Sequence, residues 1–271
     1  MDVSNFVRRV WTYYVDFGRE LPWRIPEKDG SFDPYKIMVS EIMLQQTQVS
    51  RVLPRYKEFL EVFPSLEKLA QASLGSVLQV WQGLGYNRRA KFLGQAARQI
   101  RGEHRGTFPQ TTAGLQTLPG VGKETAGAIM AYAFNQPVVF IETNIRTVFI
   151  HEFFRDQEAI NDNQLRPLIE RALSEVSDYR EWYWALMDYG THLKAVIGNL
   201  SRQSQHYNKQ TAFFGSKRQV RGQILKMLTQ ASPLTATMIK QQVLDERTDA
   251  VVQELIQEGF VVKKAGKYHL A

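Results

Sequence analysis

A chain of 271 residues, 44% of them hydrophobic, has enough apolar mass to close a core as one large domain or two modest ones. It contains no cysteine, which excludes disulfides, thiolate-held zinc and cysteine-ligated iron–sulfur clusters. Its net charge of +7 is uneven: residues up to Ser201 carry 23 Lys and Arg against 22 Asp and Glu, and those from Arg202 onward carry 11 against 5. A basic last quarter suits a phosphate backbone as partner, with solubilising surface charge as the plainer alternative. No apolar span approaches about 18 residues and the first residues lack a basic stretch followed by an apolar run, so a soluble, cytoplasmic protein with no membrane partner is expected.

In chain order, Phe6, Val10, Tyr13, Tyr14 and Phe17 recur at helical spacing and predict a helix over 5–17, stopped by Gly18. Residues 21–31 read as a loop. Asp33 and Pro34 are an N-cap and a first-turn proline, predicting a helix over 35–47 that carries Glu41 among Ile37, Ser40, Met43 and Leu44. Short helices follow, then a glycine turn, Gly83-Leu84-Gly85-Tyr86, that enters a helix through Leu93, Ala97 and Ile100. Leu118-Pro119-Gly120-Val121-Gly122-Lys123 is a second glycine turn, set between two helical patterns. Gly120 and Gly122 are expected to take positive φ and let the backbone approach another polymer. The helix that begins there offers unpaired N–H groups and a positive dipole end, which suits a phosphate. An ordinary helix-to-helix turn is the alternative.

Residues 137–141 form a short apolar extended run, and Glu142 then stands at or just before a helix start, where the dipole favours an ionised carboxylate. Helical patterns at 161–176 and 182–197 follow, and no sheet pattern precedes residue 200. Residues 201–215 are polar and read as a linker. From 216 to 271, three amphipathic helices and a hairpin bearing Lys263, Lys264 and Lys267 read as a winged helix-turn-helix, a pattern that protein–protein modules share. The five histidines show no metal-ligand spacing, and no metal is expected.

Two carboxylates stand out for chemistry. If Glu41 and Glu142 converge in one cleft, burial raises the pKa of Glu41 so that it donates a proton, while Glu142 stays negative. Such a pair suits N-glycoside cleavage, where an acid neutralises the leaving base and an anion stabilises an oxocarbenium-like sugar. A buried glutamate in a structural salt bridge is the competing reading.

Leu21-Pro22-Trp23-Arg24, Asp33-Pro34-Tyr35-Lys36, the run from Ser40-Glu41 through Leu44-Gln45-Gln46-Thr47-Gln48-Val49, Trp81-Gln82-Gly83-Leu84-Gly85-Tyr86 and the Leu118-to-Gly122 hairpin occur in order over residues 5–195. Together they resemble the helix-hairpin-helix DNA glycosylases, and within them the adenine-specific mismatch glycosylases of the MutY type. The resemblance implies a mainly α, two-lobed fold, with a six-helix lobe over 35–134 and a second lobe from the N-terminus plus 135–200. It makes Glu41 the acid that protonates adenine and Gln46 the side chain inserted beside the flipped nucleotide. Tyr86 would probe the partner base, Arg24 and Glu124 would border the base pocket, and Asn144 and Arg146 would lie near the scissile nucleotide. Gly120, Val121, Gly122 and Lys123 would hold the DNA backbone, and the wing lysines would meet phosphates.

Four departures qualify that picture. Glu142 stands where the family has aspartate, one methylene longer. The cluster-holding cysteines are missing, and Lys194 occupies the neighbourhood of the first. The lysine of the strand-cleaving branch falls at Glu124, which implies a monofunctional enzyme using water. A winged helix stands in place of the family's Nudix-like domain, which reads 8-oxoguanine. The expected function is a monomeric, cofactor-free glycosylase that excises adenine opposite a damaged or mispaired purine in double-stranded DNA. Uracil, hypoxanthine or mismatched thymine as substrate, or a catalytically dead DNA-binding protein, are the alternatives.

Overall fold

In the computed structural model, which describes residues 2–207 and 212–271, helices follow one another in the expected order. The first are α1 (Val3–Phe17), α2 (Pro34–Leu44), α3 (Val49–Val62), α4 (Leu66–Gln71), α5 (Leu74–Val80) and α6 (Arg88–Glu103). Helices α7 (Thr112–Gln116) and α8 (Lys123–Phe134) flank the second glycine turn. They are followed by α9 (Thr143–Phe153), α10 (Asp162–Leu173) and α11 (Tyr179–Ile197). The chain then forms α12 (Lys217–Ala231), α13 (Ala236–Gln242), α14 (Thr248–Gln257) and an antiparallel pair, β1 (Val261–Lys264) and β2 (Lys267–Leu270). It divides into two compact units. Met1–Glu41, Pro109–Thr117 and Val121–Lys209 make the first, and Ile42–Phe108, Leu118–Gly120 and Gln210–Ala271 the second.

The first unit is built on α11, which buries Trp182, Tyr183, Ala185 and Leu186. Helix α1 presents Val3, Phe6, Val7 and Val10 at helical spacing, and the Phe6 ring meets Phe149 at 5.0 Å and Trp182 at 5.8 Å, both edge-on. Phe17, expected on that face, is 64% exposed, because the buried stripe of α1 ends at Val10. Helices α7 and α8 were expected in the six-helix lobe but cluster here: α8 packs on α11, and Tyr132 stacks on Trp184 at 5.9 Å. On α11, a Cβ at Gly190 would come within 2.6 Å of the Asn144 carbonyl oxygen, so glycine there lets α11 press against the first turn of α9.

In the second unit, α4 and α5 pack on α6, and α12 packs on α14, β2 and α5. The C-terminal helices and hairpin therefore cluster with residues 42–108. Glu258 accepts from Arg88 at 2.9 Å and Arg221 at 2.7 Å, and its carbonyl accepts from Lys91. The hairpin turns through Ala265 and Gly266, both at positive φ, and pairs Lys264 with Lys267.

The stretch expected as a linker begins as structure: Leu200–Gln203 is a 3₁₀ turn, and Gln205 N–H donates to the Ile160 carbonyl at 3.1 Å. Residues 208–211 of that stretch lie outside the described residues. Among the described residues no helix is long and apolar enough to cross a membrane.

Candidate active site

Helix α2 starts as expected, with Asp33 Oδ1 accepting from Tyr35 N–H at 2.8 Å and Pro34 in the first turn. Its apolar residues Ile37, Met38 and Ile42 are buried on several sides, and Glu41 is drawn in with them until it is 9% exposed. Burial pushes the Glu41 carboxyl well above the ordinary glutamate range, and the charge of Glu142 pushes it further against the pull of Arg24. The two carboxylates, a hundred residues apart in sequence, thus feel each other's charge inside the first unit. Tyr132 on α8 feels both of them.

Glu142 is the N-cap residue of α9, in extended backbone conformation, and its side chain makes no capping hydrogen bond. The dipole was expected to keep its carboxylate ionised. Its pKa is instead raised, first by burial and then by Glu124, while Lys194 and Arg146 oppose that rise. Ionised Glu142 therefore depends on two cations as well as on the helix end. The peptide before it is pinned on both sides, since Glu124 Oε2 accepts from Ile141 N–H and Arg146 Nη2 donates to the Ile141 carbonyl at 3.2 Å. Arg146, expected near DNA, is turned inward and makes two 2.8 Å bonds to Asp162, with only 12% of its side chain exposed. Through these bonds it ties the chain just before Glu142 to Asp162.

Asn144 sits in the first turn of α9. Its Oδ1 accepts from Lys194 Nζ at 2.6 Å, and its amide nitrogen approaches Met187 Sδ at 3.8 Å. Arg24 belongs to a buried ion pair: Nη1 and Nη2 each donate to Asp188 at 2.8 Å, and Arg19 donates to the same carboxylate at 2.7 Å. Although burial alone raises the Asp188 pKa, bonds from Arg24 hold it below the usual range. The Arg24 guanidinium also lies 5.4 Å from the Trp184 ring centre. Both groups are fixed from α11, and Arg24 remains close enough to Glu41 to act on its charge.

In the second unit, Gln46 and Tyr86 both have left-handed backbones, with φ of 55° and 46°. Such angles are uncommon for side-chain-bearing residues and cluster where a residue is held for function. Helix α2, predicted through residue 47, stops at Leu44 because Gln46 leaves the helical region. What holds both turns is Arg89, a residue the sequence reading passed over. Its guanidinium donates to the carbonyls of Ile42, Met43 and Gln45 at 2.6–2.8 Å and to those of Leu84 and Gly85 at 3.2 Å. Burial lowers its pKa to about 10. The available signal was a charge on the apolar stripe of α6, one turn before Leu93. The Tyr86 hydroxyl accepts from Arg218 of α12, whose guanidinium also lies 5.1 Å from the Tyr86 ring centre.

At the second glycine turn, Gly120 has φ +80°, and a Cβ there would meet Phe92 at 2.8 Å. Gln45 donates to its carbonyl at 3.3 Å. Gly122, expected at positive φ, has φ −82° and ψ −179°, because it serves as the extended N-cap of α8. It has no side chain with which to cap the helix, and both it and Lys123 are exposed. Val121 is buried. Lys263, Lys264 and Lys267 are exposed on the C-terminal hairpin.

This arrangement supplies a carboxyl raised well above its ordinary range, a second carboxyl under the pull of two cations and an uncapped helix start. The iron–sulfur cluster of the similar glycosylases has no fit: the chain has no cysteine, and Lys194 near the corresponding place spends its ammonium on Asn144.

Residues 39–175 match the family described as HhH-GPD superfamily base excision DNA repair protein. The chain is 30% identical over 285 residues to an adenine DNA glycosylase of Mycolicibacterium smegmatis, a match covering 96% of this chain and 94% of that protein. It is 35% identical over 194 residues to an adenine DNA glycosylase of Buchnera aphidicola, covering 70% of this chain and 53% of that one. Among solved structures, a thermostable thymine-DNA glycosylase superposes with a TM-score of 0.59 at 26% identity, over 69% of this chain and 85% of its own. The chain spans 29–53% of the length of three of the curated relatives it matches.

Proposed function

Since the chain belongs to the HhH-GPD superfamily of base excision DNA repair proteins, we propose that it is a monofunctional glycosylase removing adenine mispaired in double-stranded DNA. The observation that carries this reading is the unequal pair of carboxyls in the first unit. Burial and the charge of Glu142 raise Glu41 well above its ordinary range against Arg24 alone. Glu142, raised by burial and Glu124, has two cations, Lys194 and Arg146, drawing it back toward the ionised form. Glu41 would give its proton to a ring nitrogen of the extruded adenine as the bond from C1′ to N9 breaks. The bonding electrons leave with the base, and Glu142 stabilises the positive charge that develops on the sugar until water adds at C1′. The adding water keeps one proton as the new hydroxyl and releases the other to solvent, from which Glu41 regains the proton it gave, leaving an abasic site.

The longer reach of glutamate at 142 calls for the exact seat that Ile141 and α9 give it, since a displacement near 1 Å can cost on the order of a hundredfold in rate. Gln46 and Tyr86, held in strained turns by Arg89, would be the groups that enter the duplex. Extrusion costs a few kcal/mol, which such contacts offset. The turn from Gly120 to Lys123 would take one phosphate, and Lys263, Lys264 and Lys267 of a winged module would take others.

The test is a panel of duplexes containing adenine, uracil, thymine or hypoxanthine opposite guanine or oxidised guanine, treated with alkali after incubation. Strand breaks at adenine are expected. Tight binding with no abasic product from any duplex would replace the enzyme by a binding protein on the same scaffold, and product only from another base would move the substrate.

A further inference from the structure

Lys194 is one of the two cations that act on Glu142, and its surroundings are specific. It lies on α11, one turn beyond Gly190, whose missing side chain lets that helix touch the backbone of Asn144. From there Nζ reaches Asn144 Oδ1 at 2.6 Å. Asn144 is two residues after Glu142, in the first helical turn that the Glu142 backbone caps. The ammonium is thus seated on the turn that Glu142 caps, and it and the Glu142 carboxylate act on each other's charge.

The groups around Glu142 come from four elements. Glu124 of α8 acts on it with a like charge, its own charge raises Glu41 of α2, and the Tyr132 hydroxyl of α8 also feels it. Arg146 of α9 and Lys194 of α11 are the cations. Arg146 is already committed to Asp162 through two charge-assisted bonds. Among the described residues Lys194 has no carboxylate at hydrogen-bond distance, and its bonded partner is the neutral amide of Asn144. The positive field of Lys194 is therefore the one not cancelled at close range.

We propose that Lys194 is a positioning residue for excision, supplying the countercharge to Glu142 and fixing Asn144 so that the start of α9 presents that carboxylate in one geometry. This rests on the proposed glycosylase reading and adds to it the group that allows the anionic half of the site to exist. Partial burial lowers the Lys194 pKa to about 8 against the pull of Glu142, so the ammonium is charged throughout the acidic range in which Glu142 gains and loses its proton. The sign follows. Removing the charge raises the pKa of Glu142 and moves the acidic limb of excision to higher pH, while the alkaline limb set by Glu41 stays near its place.

The experiment compares the full chain with Lys194→Met and Lys194→Arg. Carboxyl ¹³C NMR, with the Glu142 signal assigned through Glu142→Gln, follows the titration directly, and single-turnover excision of adenine is measured across the same pH range. In Lys194→Met the Glu142 midpoint and the acidic limb should both rise by on the order of one pH unit, and Lys194→Arg should return both toward the parent values. An unchanged Glu142 midpoint in Lys194→Met, with excision lowered evenly at every pH, would overturn the role. A shifted midpoint in a parent chain that excises no base would leave the electrostatic role standing and reject the glycosylase reading.

Discussion

At the scale of single residues, the site joins carboxyls tuned in opposite senses. Asp188 is held low by Arg24 and Arg19, so its contribution to stability is present above the unfolded aspartate value and lost as pH falls through the lowered one. Glu41 is held high by burial, so its contribution is present below the unfolded glutamate value and lost as pH rises toward the folded one. Near neutral pH the fold therefore carries a cost for keeping Glu41 where it is. Glu41→Gln should raise the urea midpoint at pH 7–8 while abolishing excision, and this gain should shrink near pH 4. A variant that is less stable than the parent at neutral pH would show that Glu41 is a structural partner. Glu41 and Glu142 were legible in the sequence because one interrupts an apolar helix face and the other precedes a helix start. Arg89 and Lys194 were not. Their partners include backbone carbonyls more than 40 residues away and an amide 50 residues away, and local periodicity carries no trace of such contacts.

At the scale of elements, the two glycines of the second turn have different reasons to be glycine. Gly120 has a left-handed backbone and no room for a methyl beside Phe92, whereas Gly122 is extended with open space around it. Gly120→Ala should cost about 1–3 kcal/mol of stability through strain and overpacking. Gly122→Ala should cost less, because alanine merely replaces one uncapped N-cap residue with another. Urea unfolding of both variants checks the order, and equal losses would mean that the turn is not held as described. The helices were readable from capping residues and apolar spacing, and α2 was misjudged only at its end. There the carbonyls of Ile42 and Met43 find Arg89 in place of further helical N–H groups, a tertiary contact that overrides the local pattern.

At the scale of the whole molecule, the family relation was visible in ordered motifs, but the division of the chain was not. Helices α7 and α8 cluster with α9 and α11 through aromatic and glycine contacts, and the C-terminal helices and hairpin cluster with residues 42–108 through Glu258, Lys91 and Tyr86. Charge and composition marked the C-terminal region as distinct, yet they hold no information about which earlier helix it meets. At this scale the proposed reaction requires that a protonated Glu41 and an ionised Glu142 act together on one nucleotide. The pH dependence of single-turnover adenine excision, measured from about pH 4 to 10, tests it most directly. The expected result is a bell, rising as Glu142 ionises and falling as Glu41 loses its proton, with no excision by Glu41→Gln at any pH. A flat profile, or a Glu41→Gln variant that excises adenine as fast as the parent, would contradict it.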